Sequence, residues 1–150
     1  QKILETIKSR AIDIQIILND QTKNKITKSL LNYYNQESSL SIDIVKLSPG
    51  NFLKFNYILN EKKIDINDSF LITIKKILNI YKKEKNLLYR DLLLFHTEYY
   101  FQNKNIQNNF DQKKFIEKKL FLFKNIHEFF SYNLNHNTFL NSIESRFNYD

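Results

Sequence analysis

Apolar and polar residues alternate in one stretch of the chain, whereas elsewhere the apolar residues recur at steps of three and four. The alternation covers residues 11–18, AIDIQIIL, where isoleucine occupies positions 12, 14 and 16. A period of two predicts a half-buried β-strand, and steps of three and four predict helices that bury one face. We therefore expect an all-α protein with one residual strand near the N-terminus.

Three short helices are predicted to follow the strand as a small bundle. The first is capped by Asn19 or Asp20 and runs to about Tyr34. The second covers residues 41–47, and the third begins at Pro49, because proline needs no N–H partner in the first turn of a helix. The side chains that these helices are expected to bury are Ile26, Leu30, Tyr33, Tyr34, Ile44, Val45, Leu47, Phe52, Phe55 and Leu59.

Four longer helices are predicted after the polar segment at residues 61–67, which we take as the boundary between two helical units. They cover residues 68–85, 87–102, 111–134 and 138–147. Each has an apolar stripe at helical spacing, so each must pack against a neighbour. The stripes consist of Phe70, Leu71, Ile74, Leu78 and Tyr81; Leu88, Leu92, Phe95 and Tyr99; Phe115, Leu122, Ile126, Phe129 and Phe130; and Leu140, Ile143 and Phe147.

The composition supports a packed core and excludes several kinds of catalytic site. The chain has 150 residues, of which 42% are hydrophobic, enough to bury the core of one domain or of two small ones. Cysteine is absent, which rules out disulfides, thiolate zinc sites and cysteine nucleophiles. A single glycine, Gly50, leaves no P-loop and no Gly-x-Ser-x-Gly nucleophile elbow. We expect no intrinsic catalytic site.

Localisation and completeness are predicted from the apolar runs and the first residue. The chain has no run of about eighteen apolar residues and no basic-then-apolar signal peptide at its start. We therefore expect a cytoplasmic protein that does not contact a membrane. The chain begins at Gln1 rather than at Met, and we expect it to be the C-terminal part of a longer protein.

The formal charge of +7 raises the question of nucleic-acid binding. Clustered cations gain affinity for nucleic acids by releasing counterions from the phosphates. The lysines are spread along the chain and interleaved with Asp and Glu, so solvated helix faces account for this charge more simply. Arginine is the more informative cation, because lysine cannot replace its planar fork. It occurs at Arg10, Arg90 and Arg146.

Histidines and aromatic residues are predicted to be structural. His96, His127 and His136 lie far apart and lack the HExxH spacing of a metal site. Aromatic residues make up 15% of the chain and fall mainly on the predicted buried stripes, which argues against stacking platforms for single-stranded bases. The exception is the run of three aromatics at residues 99–101, which must point to different sides of a helix. We expect one of the three to meet a partner chain.

The segment ILETIKSRA, residues 3–11, stands directly before the predicted strand. It resembles the Ser-Arg-Cys motif of the clamp-loader family of AAA+ ATPases, which leads into the last strand of the nucleotide-binding module. In that family a three-helix lid and a helical collar follow, and the lid contains a segment similar to LSPGNFLKF at residues 47–55. The resemblance implies the end of the nucleotide-binding module at residues 1–18, a lid at 19–62 and an oligomerisation collar at 63–150.

The resemblance also implies a role in DNA replication. The Pro-Gly form of the lid segment looks like the delta-prime subunit of bacterial DNA polymerase III, which does not hydrolyse ATP. Ala11 stands where the motif has Cys, a small-for-small change, and no arginine lies near Asn51, Phe52 and Lys54, where ATP-hydrolysing relatives place a sensor arginine. The implied protein belongs to a pentameric ring. Its collar would contact the ATPase subunits and the delta subunit, and the whole complex would contact the sliding clamp and primed DNA.

Arg10 and Ser9 are the two residues to which the resemblance assigns a role. In this family the arginine of the motif acts in trans, so Arg10 is predicted to be an arginine finger and Ser9 to support its loop. A guanidinium stabilises the negative charge that develops on the γ-phosphate oxygens during phosphoryl transfer. ATP and Mg²⁺ would lie on the neighbouring subunit, and we expect this chain to bind no cofactor itself.

Two other interpretations of the sequence stay open. A free-standing basic all-α nucleic-acid-binding module predicts one continuous patch of Lys113, Lys114, Lys118 and Lys119, with binding to duplex that falls steeply with salt. A plain helical scaffold predicts no ligand at all. The collar interpretation predicts a large exposed apolar or aromatic patch, which other subunits would cover.

Overall fold

Six α-helices make up the regular structure of the described residues. A computed structural model describes residues 17–43, 45–107 and 112–147. The helices are α1 Asp20–Tyr33, α2 Pro49–Glu61, α3 Phe70–Glu84, α4 Leu88–Gln107, α5 Gln112–Tyr132 and α6 His136–Phe147. No β-strand occurs within those three ranges. The predicted all-α class is therefore confirmed.

The predicted N-terminal strand lies almost wholly outside the described residues. Of residues 11–18, only Ile17 and Leu18 are described, and neither belongs to a helix or a strand. The side chain of Ile17 is exposed. The strand stays a prediction.

Short polar side chains set the first turns of α1 and α2, as the sequence predicted. The side chain of Asn19 accepts a hydrogen bond of 2.8 Å from the backbone N–H of Thr22. Ser48 accepts one of 3.4 Å from the N–H of Asn51, and Pro49 follows it as the first residue of α2. These caps satisfy backbone donors that have no partner inside the helix.

The prediction of a helix at residues 41–47 is wrong, because the described residues of this segment form no helix. One turn closes there, with the N–H of Val45 donating to the C=O of Ser41 over 3.1 Å. A seven-residue helix is marginal in water, and β-branched side chains lower its propensity further. The segment instead buries Leu40 and Val45. Between residues 19 and 62 the structure has two helices where we predicted three.

The buried face of α1 also differs from the prediction. Thr27 and Leu31 are its buried residues, while Ile26 and Leu30 are only half-buried. The predicted core residues Tyr33 and Tyr34 are exposed. The physical reason is that α1 packs against a single helix, α2, so only a narrow stripe of its surface is covered. Together α1, α2 and the segment between them form what we call the α1–α2 hairpin.

Helix α2 buries the residues that the sequence predicted, with Phe52, Phe55 and Leu59 on its inner face. Asn56 lies on the same face and is fully buried. Its amide satisfies both neighbours: the side-chain oxygen accepts from the N–H of Ser39 at 2.7 Å, and the side-chain nitrogen donates to the C=O of Glu37 at 2.8 Å. The loop before α2 is therefore held by this buried amide, together with that of Asn60, which also donates to the C=O of Glu37.

The other four helices close into a ring, which we call the α3–α6 bundle. Helix α3 contacts α4 and α6, and α5 contacts α4 and α6. The predicted apolar stripes face the centre of this bundle and are buried or half-buried. The side chains with no measurable exposure at the centre are Ile74, Ile77, Leu78, Leu92, Leu93, Leu122, Ile126 and Ile143.

The hairpin and the bundle meet through a small number of specific contacts. The ring of Phe55 on α2 stacks on that of Phe95 on α4, with 5.2 Å between centroids. Between α2 and α3, Ile64 and Ile66 are buried although they lie in the polar segment at residues 61–67. The two isoleucines hold that segment against the core.

Candidate functional site

The predicted arginine finger and the residue predicted to support its loop cannot be placed by this structure. Ser9 and Arg10 lie outside the described residues. The segment similar to the lid motif is described: Phe52 is buried in the hairpin, while Asn51 and Lys54 are exposed. Neither exposed residue is an arginine, so this face of α2 carries no guanidinium.

A cavity lies between the α1–α2 hairpin and the turn that joins α3 to α4. Its volume is about 520 Å³. Its walls include Tyr34, Lys54 and Tyr57 on the hairpin side, and Glu84 and Tyr89 on the bundle side. We call this cavity the tyrosine groove. Aromatic rings and a cation are accessible together in this groove.

Exposed aromatic rings lie at the rim of this groove. Tyr57 is 53% exposed and Tyr34 is 56% exposed. Tyr33, beside the groove, is 78% exposed and meets the ring of Tyr34 edge-on at 5.0 Å between centroids. Rings held open to solvent in this way can stack on a flat ligand group.

Sequence reasoning missed this cluster of exposed rings. It assigned Tyr33 and Tyr34 to a buried stripe. Adjacent positions on a helix are about 100° apart, so two neighbouring aromatics cannot both face one partner helix. That spacing was the signal available in the sequence, together with the polar residues Asn35 and Gln36 that end the helix.

A network of charged and phenolic groups forms the floor of the tyrosine groove. Lys62 Nζ lies 2.7 Å from Glu84 Oε1 and 3.2 Å from Glu61 Oε1. The hydroxyl of Tyr89 donates to Glu84 Oε2 over 2.5 Å. Glu84 on α3 thus links Lys62, at the end of α2, to Tyr89 on α4.

The network shifts the pKa values of all three groups, so that each group keeps the protonation state in which it makes its hydrogen bond. Hydrogen bonds from Lys62 and then Tyr89 lower the pKa of Glu84 below its ordinary value. Hydrogen bonds to Glu84 and then Glu61 raise the pKa of Lys62. Burial, followed by the hydrogen bond to Glu84, raises the pKa of Tyr89 to about 12. At neutral pH the carboxylate is therefore charged and the phenol is protonated.

The three histidines occupy different environments and do not come together. His96 is buried between α3 and α4, where its ring stacks on Phe70 at 5.3 Å between centroids. His127 is exposed on α5, and His136 begins α6. Within the described ranges, no three residues of the types His, Asp or Glu are grouped to hold a metal ion.

The four lysines of the nucleic-acid interpretation differ in what they offer a phosphate. Lys113 and Lys114 are exposed at the start of α5. Lys119 Nζ lies 2.9 Å from Glu98 Oε1 on α4, and Lys118 Nζ lies 5.8 Å from the centroid of the Phe147 ring. Lys118 and Lys119 therefore contact neighbouring helices.

The aromatic run at residues 99–101 is divided between the core and the surface. Phe101 is buried, while Tyr99 and Tyr100 are half-buried. The ring of Tyr100 stacks on Phe70 at 4.2 Å between centroids. A partner chain for one of these rings stays a prediction.

The chain matches no protein-family model, no curated protein and no solved structure. Among the helices that the structure describes, none combines the length and apolarity needed to cross a bilayer.

Proposed function

We propose that this chain is the C-terminal part of a non-hydrolysing clamp-loader subunit of the delta-prime type. It supplies Arg10 in trans to the ATP site of a neighbouring ATPase subunit. The observation that carries the proposal is the segment ILETIKSRA at residues 3–11, directly before the alternating stretch at 11–18. The six helices that the structure describes after residue 19 support it, because a lid and a collar consist of helices.

An exposed aliphatic pair on α5 also supports a chain that works inside an assembly. Ile116 is 54% exposed and Leu120 is 64% exposed, one helical turn apart. Aliphatic side chains that face water on the outer side of a bundle helix are the kind of surface that neighbouring subunits bury. In a ring of collars, this part of α5 lies against another chain.

The proposed role of Arg10 follows from the charge of the transition state. Phosphoryl transfer spreads negative charge over the γ-phosphate oxygens, and a guanidinium can hydrogen-bond two of them at once. A finger of this kind raises the hydrolysis rate by about a thousandfold or more. A finger needs a rigid base, which the strand predicted to start at Ala11 would provide.

The test is the ATPase rate, stimulated by clamp and primed DNA, of a loader reconstituted from full-length subunits of the same organism. Arg10→Ala in this chain should abolish hydrolysis at the neighbouring site, and Arg10→Lys should restore little of it, since an ammonium lacks the planar fork. Lys8→Ala is the matched control, because it removes a cation two residues away. Its rate should equal that of the wild type.

The possible outcomes distinguish membership of a clamp-loader complex from the role of Arg10 as an arginine finger. An assembled complex with an unchanged rate for Arg10→Ala would leave the assembly role standing and reject Arg10 as a finger. A chain that does not assemble with the ATPase subunits would reject the clamp-loader proposal.

The second candidate function is binding of single-stranded nucleic acid at the tyrosine groove, favoured by the exposed rings of Tyr34 and Tyr57 beside Lys54. Stacking of a base on such a ring contributes about 1–3 kcal/mol. Tyr57→Ala should therefore weaken oligonucleotide binding about tenfold or more. Tyr132→Ala is the matched control, since Tyr132 is exposed on α5, away from the groove. Equal losses for both variants would reject the groove as the binding site.

A further inference from the structure

A stripe of polar residues on α4 faces the first turn of α3. His96, Tyr99, Tyr100 and Asn103 follow one another at steps of three, one and three, so they share one side of α4. With residues 66–70 they line a cavity of about 280 Å³. A helix side that packs into a bundle is normally apolar, so a polar stripe beside a cavity is typical of a ligand site.

His96 is the residue that makes this cavity unusual. It is 2% exposed, and neither of its ring nitrogens makes a hydrogen bond of ordinary length and angle, although the backbone of Phe70 lies close enough to interact with the ring. Buried polar side chains are nearly always paired, and an unpaired one calls for a specific explanation. Burial lowers the pKa of His96 to about 4, and the nearby backbone of Phe70 opposes this shift only in part. The imidazole is therefore neutral at physiological pH and has one N–H to donate.

The first turn of α3 offers more donors on the opposite wall. Ser69 is the N-cap of this 15-residue helix, but its side chain accepts no hydrogen bond from the first turn. The N–H groups at the start of a helix have no partner inside it and form the positive end of the helix dipole. Phe70, the first residue of α3, stacks on both His96 and Tyr100, which fixes this turn beside α4.

The charges at the cavity limit what can enter it. Asp68 lines the wall, and its Oδ2 lies 2.6 Å from Nζ of Lys76, so the pair is close to neutral. The net positive potential then comes from the helix start alone, about half an elementary charge. A single negative charge fits this balance better than a dianion, most of whose charge the helix start would leave uncompensated.

We propose that the cavity between the start of α3 and the polar side of α4 binds a small carboxylate, held by the imidazole N–H of His96 and the first-turn N–H groups of α3. Ser69 adds a hydroxyl donor at the mouth. The site lies in the α3–α6 bundle and does not depend on the proposed role of Arg10.

The test is a titration of the full chain with sodium acetate, followed by ¹H–¹⁵N NMR, with sodium chloride at matched ionic strength as the reference. We expect saturable shifts of the amides of Leu71 and Ile72 and of the His96 ring. Ser69→Asp should weaken acetate binding about tenfold or more, because a fixed carboxylate at the N-cap occupies the same donors. Ser48→Asp is the matched control at the N-cap of α2, and it should bind acetate as the wild type does.

A second variant tests the histidine directly. His96→Phe keeps a ring against Phe70 and removes the donor, so it should also lose acetate binding. If His96→Phe does not fold, Ser69→Asp against Ser48→Asp decides the question alone. Shifts that chloride reproduces would indicate an adventitious ion only and overturn the proposal. Equal binding by the two aspartate variants, or tighter binding of phosphate dianion than of acetate, would overturn it as well.

Discussion

The α1–α2 hairpin and the α3–α6 bundle are both helical but are held by different interactions. In the bundle, the centre consists of aliphatic side chains with no exposure, contributed by all four helices. In the hairpin, the interior position between Phe52 and Leu59 is occupied by the amide of Asn56, which bonds the loop at residues 36–39. The bundle is held mainly by apolar burial, and the hairpin depends on directed hydrogen bonds.

The two regions also expose different surfaces. The hairpin shows tyrosine rings at the groove, which can stack and donate a hydrogen bond. The bundle shows the aliphatic side chains of Ile116 and Leu120, which can only be buried. The exposed rings of the hairpin suit the proposed binding of a flat ligand at the groove, and the exposed aliphatic pair of the bundle suits the proposed contact with other chains.

The largest effect is expected for an apolar truncation in the bundle. Leu92→Ala removes a fully buried side chain from a centre enclosed by helices, and it should lower the free energy of unfolding by about 4 kcal/mol. Leu31→Ala in the hairpin is the matched change and should cost about 2 kcal/mol, since fewer neighbours surround α1. Urea denaturation measures both. Equal losses would remove the distinction between the two cores.

Acid should destabilise the bundle through His96. Its pKa is about 4 in the folded chain and 6.5 when free, so the unfolded chain binds the proton more readily. The contribution of neutral His96 to the free energy of unfolding should be fully present above pH 6.5. About 3 kcal/mol should be lost as the pH drops through 4. Urea midpoints against pH, in a buffer without carboxylate, measure this loss. His96→Phe should flatten that part of the profile, and the exposed His127→Gln should not; identical profiles for all three would reject this assignment.

The hairpin should be the region that is sensitive to loss of a polar group. Asn56→Leu removes three hydrogen bonds of one fully buried amide, those to the N–H of Ser39, the C=O of Glu37 and the side chain of Gln36, and we expect a loss of about 2 kcal/mol. Thr97→Val is the matched change in the bundle. Thr97 donates to the C=O of Leu93 in its own helix, so its replacement should cost less than about 1 kcal/mol. Urea denaturation that showed the reverse order would contradict the comparison.

The sequence predicted the bundle better than the hairpin, and the reason is physical. A long apolar stripe defines the one face of a helix that must be buried, so periodicity predicted the helices α3 to α6. The segment at residues 41–47 has no such stripe, and tertiary contacts of Leu40 and Val45 decide its shape. The cavities proposed as ligand sites depend on which helices pack against each other. Periodicity does not reveal that the polar side of α4 meets the start of α3.

The smallest effect is expected where the two regions join, at the network of Lys62, Glu84 and Tyr89. Lys62 and Glu84 keep contact with water, so removing their pair should give the smallest shift in the urea midpoint, and that shift should vanish in high salt. The pKa of the Tyr89 hydroxyl is a more sensitive measure of this network than the urea midpoint is. Glu84→Gln should lower the pKa of Tyr89 from about 12 toward its ordinary 10, because the charged acceptor is lost.

Lys62→Met should move the same phenol in the opposite direction. The ammonium of Lys62 lowers the pKa of Tyr89, so its removal should raise that pKa, whereas loss of Glu84 lowers it. Ultraviolet titration of tyrosine, with Tyr89→Phe to assign the signal, measures both shifts. A Tyr89 pKa above the ordinary value also means that stability declines as the pH rises from 10 through about 12. Shifts of the same sign in both variants would show that Glu84 does not link the hairpin to the bundle.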